Sequence, residues 1–180
     1  MTTESPRRQR ALWQRCLLAL MAIPSVQAQT PAAPPAACRS AEYRQFDFWI
    51  GTWNVFLPGG QMAGENRVEA IHDGCALLES WRGRGGTTGN SLNSYDRSDK
   101  QWHQTWVDNS GTLLMISGGL VGRSMVLASA PAGNEASPAL MQRITWTPND
   151  DGSVRQLWES SSDAGQTWTV QFDGRYVRRR

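Results

Sequence analysis

The sequence predicts an all-β protein: a single antiparallel, up-and-down β-barrel of about ten strands, preceded by one short helical turn. Three observations lead there. From Phe48 onward no helical period is present; short runs rich in Trp, Val, Ile, Leu and Thr recur about every 10–14 residues, punctuated by Gly, Asp and Asn, the pattern of a sandwich or barrel. No segment between these runs is long enough for a crossover helix, so consecutive hairpins are the simplest connection. Ten short strands in an open sheet would leave unpaired edges, and closure removes them.

Residues 1–28 are set apart from the barrel. Arg7, Arg8, Arg10 and Arg15 form a positive region, residues 16–23 a short apolar run, Pro24 a helix breaker, and Val26-Gln27-Ala28 supplies slim side chains where a signal peptidase inspects them. That order predicts a cleavable secretory signal, with cleavage after Ala28; the run is too short for a permanent membrane anchor. Cys16 precedes the apolar run, which argues against a lipoprotein signal; Arg7-Arg8 gives a weak twin-arginine context. Residues 29–39 are a Pro/Ala-rich leader with the composition of a semi-rigid extended segment. The barrel domain is assigned to 40–180. Ser40 to Phe46 is read as the helical turn, with Ser40 as its N-cap.

The strands are placed at about 48–56, 65–72, 76–82, 90–95, 101–107, 112–117, 123–129, 140–147, 153–160 and 167–172, with a closing piece at 175–178. Asp73-Gly74, Asn109-Ser110-Gly111 and Asn149-Asp150-Asp151-Gly152 supply turn residues that bond nearby backbone or accept positive φ. Ala130 to Pro138 is a longer loop.

Charge and cysteine usage narrow the function classes. The chain carries a formal +2, of which the four arginines and Glu4 of residues 1–28 supply +3, so the mature chain lies near −1. Only Arg178-Arg179-Arg180 remains as a cationic run, which is too little for nucleic-acid binding. No second apolar run approaches a membrane span, so no membrane insertion of the mature chain is expected. Once Cys16 leaves with the signal, Cys38 and Cys75 form an even pair. They are either a disulfide or two unrelated thiols, and an oxidising compartment favours the bridge.

Period-two counting shows what shares a face. Leu77, Glu79 and Trp81 lie on one face, Trp102, Gln104, Trp106 and Asp108 on another, and Val154, Gln156 and Trp158 on a third. In each, a polar group sits between large apolar neighbours, and burying such a group unpaired costs about 1–3 kcal/mol. If these faces point inward, Glu79, Gln104 and Gln156 need partners: one another, water or a ligand. The mature chain has eight tryptophans, which either fill a small core or line a cavity that keeps polar hooks. The ligand-binding candidates are Glu79, Trp81, Gln104, Trp106, Gln156 and Trp158.

Other motifs point to structure rather than chemistry. Ser161-Ser162-Asp163-Ala164-Gly165-Gln166-Thr167-Trp168 matches the Asp-box, Ser-x-Asp-x-Gly-x-x-Trp. One copy on so short a chain is a turn staple: Asp163 ties down backbone amides, Gly165 takes the unusual dihedral, and Trp168 docks the turn, with Ser161 beside them. His72 and His103 have no nucleophile partner in sequence and read as ordinary strand residues. No three-ligand metal spacing is present, no phosphate loop follows Gly83 to Gly89, and no cofactor is expected. A haem would need one histidine inside the barrel with an open face. Glu79 and Asp108 can work as an acid–base pair only if they share a cavity.

Gly51-Thr52-Trp53, at the start of the first strand, resembles the Gly-x-Trp signature of lipocalins and other calycins, in which glycine turns the chain into the barrel and the tryptophan plugs its end. That resemblance implies an arginine late in the last strand stacked on Trp53, with Arg178 or Arg175 as the candidate. The longer series, Phe46 to Trp53, Gly74 to Trp81, Ser91 to Asp96, Trp102 to Asp108 and Val154 to Glu159, is similar to a family of exported bacterial proteins grouped as a domain of unknown function, DUF1579. The resemblance spans nearly all of 38–178 and implies a calycin-like barrel and no activity. The sequence therefore points to a periplasmic or secreted binding module for a small amphipathic or apolar molecule. The alternatives are a hydrolase-type enzyme using Glu79 with Asp108 or His103, and a non-catalytic interaction protein with a solid barrel that meets its partner through its surface or loop 130–138.

Overall fold

The computed structural model describes residues 37–129 and 140–179. The predicted signal segment, most of the predicted leader and loop 130–138 lie outside the described residues. The rest is a closed antiparallel barrel of ten strands: β1 Gly51–Phe56, β2 Met62–Ile71, β3 Ala76–Gly83, β4 Thr88–Asp96, β5 Gln101–Asp108, β6 Leu113–Val121, β7 Ser124–Ala128, β8 Met141–Pro148, β9 Val154–Ser161 and β10 Thr169–Arg178. Each strand pairs with its neighbours in sequence, and β10 returns to β1, so no edge is left unpaired around the ring.

Up-and-down order gives the barrel two unlike ends. At one end β1 begins and β10 finishes, and the residues before β1 fold into two 3-10 turns, Ala41–Arg44 and Asp47–Trp49. These turns push Phe46 and Trp49 into the barrel, where both are fully buried. Phe46 stacks on Trp49 at 4.9 Å and meets Trp102 and Trp146 edge-on at 5.6 and 5.2 Å, the offset and T-shaped geometries aromatic quadrupoles prefer. Trp102 Nε1 donates to Glu42 O at 3.2 Å, tying the plug to β5. Trp53, also fully buried, donates to Trp49 O at 3.0 Å. Its ring lies 4.5 Å from the Arg178 guanidinium, directly across the β1–β10 ladder. A Cβ on Gly51 would strike that arginine and the Trp53 ring, so the position excludes any larger residue.

The Cys38–Cys75 disulfide ties the plug segment to the start of β3, with Cα atoms 5.0 Å apart across a sequence separation of 37. Arg44 reinforces the tie by donating to the carbonyls of Gly74 and Cys38.

Several boundaries differ from the sequence reading. Phe48 and Trp49 read as the start of a strand, but they belong to the second 3-10 turn, which buries Trp49 fully and packs the partly buried Phe48 against the same core. Ser40 flanks the first turn in extended conformation without a capping bond from its side chain. His72 is not a strand residue: it sits exposed at φ 52° in the β2–β3 turn. β6 runs past its predicted end at 117 through Gly118 and Gly119; at Gly118 the missing Cβ lets the Val126 carbonyl approach. β10 is one strand rather than two pieces, since a register shift between Val170 and Phe172 absorbs the irregularity. Arg175 pairs with Asp151 and leaves Trp53 to Arg178.

Candidate functional site

The plug fills one half of the barrel and leaves a cavity of about 150 Å³ in the other, beneath the β3–β4 and β5–β6 hairpins. Its walls are inward residues of β3, β5, β9 and β10: Trp81, Trp106, Trp158 and Phe172, with Leu114 from β6 and Ile144 from β8. All six ligand-binding candidates named from sequence face this space, together with Asp108.

The aromatic walls are fixed by what lies behind them. Trp81 lies against Gly64 of β2, where a Cβ would be 2.8 Å from the ring. Trp106 lies against Gly89 of β4 and Phe172 against Gly174 of its own strand, and a Cβ at either glycine would collide with the ring. The glycines thus let each ring lie back against the wall, and the space it vacates is the cavity. Trp81 and Phe172 meet edge-to-face at 6.0 Å, and Trp158 Nε1 donates to Gln142 Oε1 at 2.6 Å. The rings are pinned.

The floor is a polar network around Glu79, only 5 % exposed. Asn66 Nδ2 donates to Glu79 Oε1 at 2.9 Å and Ser91 Oγ to Oε2 at 2.6 Å. Ser91 in turn accepts from Asn93 Nδ2 at 2.8 Å and Gln104 Nε2 at 3.3 Å, and Gln104 also donates to Asn93 Oδ1 at 2.7 Å. The Ser91 hydroxyl hydrogen is therefore free to point at Glu79, and the network presents donors to the carboxyl. Burial nevertheless dominates: it pushes the Glu79 carboxyl up to about 7, against the opposing pull of the Ser91 and Asn66 hydrogen bonds. Tyr176, buried beside it, donates to Gln156 Oε1. Its phenol is held well above its ordinary value by burial first and by the Glu79 charge second.

Asp108 stands at the mouth in the opposite condition. Its Oδ1 accepts from Ser110 N at 2.9 Å, Ser110 Oγ at 2.6 Å and Thr112 N at 3.1 Å, and its Oδ2 from Trp106 Nε1 at 3.3 Å. These bonds, that of the Ser110 side chain foremost, lower its pKa to about 2. Asn109 staples the rim by accepting from Thr88 N at 3.0 Å and donating to Gly86 O at 3.0 Å.

Sequence reasoning did not name Asn66, Ser91, Asn93, Phe172 or Tyr176 as part of this site. Asn66, Ser91 and Asn93 do share the inward parity of their strands; the signal was a polar residue between buried apolar ones, as at Asn66 before Val68. His103 is not in the cavity. It lies on the outer face of β5, 2.8 Å from Asp99, which removes it from the acid–base pairing considered above. Asp96, Asp99 and His103 bring three ligand-type atoms together there, but Asp96 and Asp99 each spend an oxygen on a turn amide.

The remaining predicted residues hold the barrel's edges. Asp163 Oδ1 accepts from Thr167 N at 2.8 Å and Ser161 Oγ at 2.7 Å; Gly165 N donates to Ser161 Oγ at 2.8 Å, and Trp168 Nε1 donates to Gly165 O at 3.0 Å. The Arg143 guanidinium lies 3.9 Å over the Trp168 ring, docking this hairpin on β8. Compared with models of known protein families and with curated proteins, the chain matches none.

Proposed function

We propose that this protein is an exported binding module that takes up a small amphipathic molecule in the barrel cavity. One observation carries the reading: a void of about 150 Å³ walled by pinned aromatic rings and floored by buried polar groups. Ligand sites have this build, mostly apolar with a few placed hydrogen-bonding groups. An engineered apolar cavity of roughly this volume is known to hold benzene, so the fitting ligand has about that size. Trp81, Trp106 and Trp158 would supply the apolar contact, and Glu79, Gln104 and Gln156 the orientation.

Export is part of the proposal. It is supported by the signal-like segment before Ala28 and by the Cys38–Cys75 bridge, a bond that persists in oxidising compartments. Among the described residues no helix is long and apolar enough to cross a membrane. Membership of the calycin-like exported family also belongs here, supported by the Gly51, Trp53 and Arg178 closure.

A second reading, hydrolysis, is favoured by one observation: two carboxyls in one cavity with their titrations pushed apart, Glu79 to about 7 and Asp108 to about 2, as in an acid and a fixed anion. They sit two strands apart and two residues along, about 12 Å between Cα atoms at ordinary sheet spacings. Ser91, on the strand between them, is buried and commits its hydroxyl hydrogen to Glu79 rather than to the cavity. Binding therefore stands first. The test is a tryptophan-fluorescence titration with benzyl alcohol. A saturable change that disappears in Gly89→Leu, which drives a side chain into the Trp106 ring, supports the module. No saturable change at any concentration short of denaturation refutes it.

A further inference from the structure

Among the described residues, every charged group that faces the cavity has the same sign: the lining contains Glu79 and Asp108 and no Lys, Arg or His. No ion pair among the described residues involves either carboxyl. Glu79 is the telling one: it is buried, aimed into the void, and attended only by the neutral donors of Asn66 and Ser91. A buried carboxylate without a cation is ordinarily avoided or neutralised. Three indoles, Trp81, Trp106 and Trp158, line the same cavity, and an indole face attracts positive charge once water is excluded.

We propose that the cavity takes a small organic cation, a quaternary ammonium or protonated amine no larger than about benzene, held between Trp81, Trp106 and Trp158 with its charge toward Glu79 and its approach guided by Asp108. This deepens the binding-module reading and rests on it. An anionic ligand would meet two carboxyls and no counter-charge. A neutral ligand would fill the void but leave Glu79 uncompensated.

The groups that face Glu79 make the pH dependence specific. Asn66 from β2, Ser91 and Asn93 from β4 and Gln104 from β5 carry no charge, Tyr176 from β10 stays protonated, and Asp108 at the mouth remains ionised. Glu79 is thus the group that changes charge near neutrality. A cation prefers its ionised form, so affinity rises with pH and levels off above about 7; below that it weakens by about tenfold per pH unit, as the competent fraction falls.

The test is isothermal titration of the folded, disulfide-bonded protein with tetramethylammonium chloride, tert-butanol as the neutral isostere and trimethylacetate as the anion, each at pH 5 and pH 8, with benzyl alcohol as reference. The expected result is that tetramethylammonium binds at pH 8 at least tenfold tighter than tert-butanol, weakens by tenfold or more at pH 5, and weakens likewise in Glu79→Gln, while trimethylacetate does not bind at pH 8, where it is fully anionic. The wild-type pH comparison stands even if the variant does not fold. Tetramethylammonium binding no tighter than tert-butanol, or unchanged between the two pH values, overturns the cation and leaves the module standing if benzyl alcohol still binds. If all four probes fail, both readings fall.

Discussion

Buried with two neutral donors and no cation beside it, the Glu79 carboxyl titrates far from where it would in water, and that displacement is a statement about folding. Its folded pKa, about 7, lies above the ordinary 4.5, so the protonated form is the one the barrel favours. Its contribution is fully present below pH 4.5 and is lost as pH rises through 7, a change on the order of 3 kcal/mol. Chemical denaturation of wild type between pH 5 and 8 should show this decline, and Glu79→Gln should flatten it; a wild-type curve that is flat or rising over that window would contradict the assignment. Gly89 gives a second test. Gly89→Ala puts a methyl where the Trp106 ring lies, so it should cost about 1–3 kcal/mol in stability and weaken benzyl alcohol binding as the ring moves into the void. Unchanged affinity would mean that the ring does not bound the site. Glu79 was legible in sequence because it interrupts an apolar face. Its partners Asn66 and Ser91, on the two strands that flank β3, were not, because approximate strand bounds leave the register against Glu79 undefined.

At the scale of elements, the turns and the plug decide what the strands enclose. The Ser161 to Trp168 hairpin is held by bonds to Asp163 and by the stack of Arg143 on Trp168, at the rim of the barrel. Asp163→Ala should lower the melting temperature and leave benzyl alcohol affinity within about twofold, since neither Asp163 nor its bonding partners line the cavity; a folded variant that no longer binds would give the turn a role in the site. Replacing both Cys38 and Cys75 with Ser should cost about 3–4 kcal/mol through the freed loop and raise the exposure of Phe46 and Trp49, read by near-ultraviolet circular dichroism. Unchanged stability would mean that the bridge does not hold the plug. Alternation and turn residues made all ten strands visible, because both are local. The second 3-10 turn was hidden, since Phe48-Trp49-Ile50 has strand propensity and only the barrel's need for a filled base makes it curl. The continuous β6 and β10 were obscured by Gly118 and Gly174, whose purpose is a neighbour's close approach rather than a turn.

For the whole molecule, the tryptophans divide the barrel. Trp49, Trp53, Trp102 and Trp146 are fully buried around the plug, Trp81, Trp106 and Trp158 line the cavity, and Trp168 docks a hairpin outside it. The two uses weighed from sequence, core and cavity wall, are both present, at opposite ends. The outer surface carries an apolar patch where β4, β5 and β6 adjoin: Leu92, Val107, Leu113 and Met115, the last two 62 % and 63 % exposed. A patch of this kind suits a protein partner; Met115→Glu would abolish self-association in sedimentation if two copies met there, and an unchanged sedimentation profile would exclude it. The cavity is tested most directly by following the eight indole N–H resonances of residues 29–180 by nuclear magnetic resonance while benzyl alcohol and tetramethylammonium are added. The expected result is saturable shifts confined to Trp81, Trp106 and Trp158, with the four plug indoles still. Shifts spread through Trp49, Trp53, Trp102 and Trp146, or confined to Trp168, or none with either probe, would contradict it.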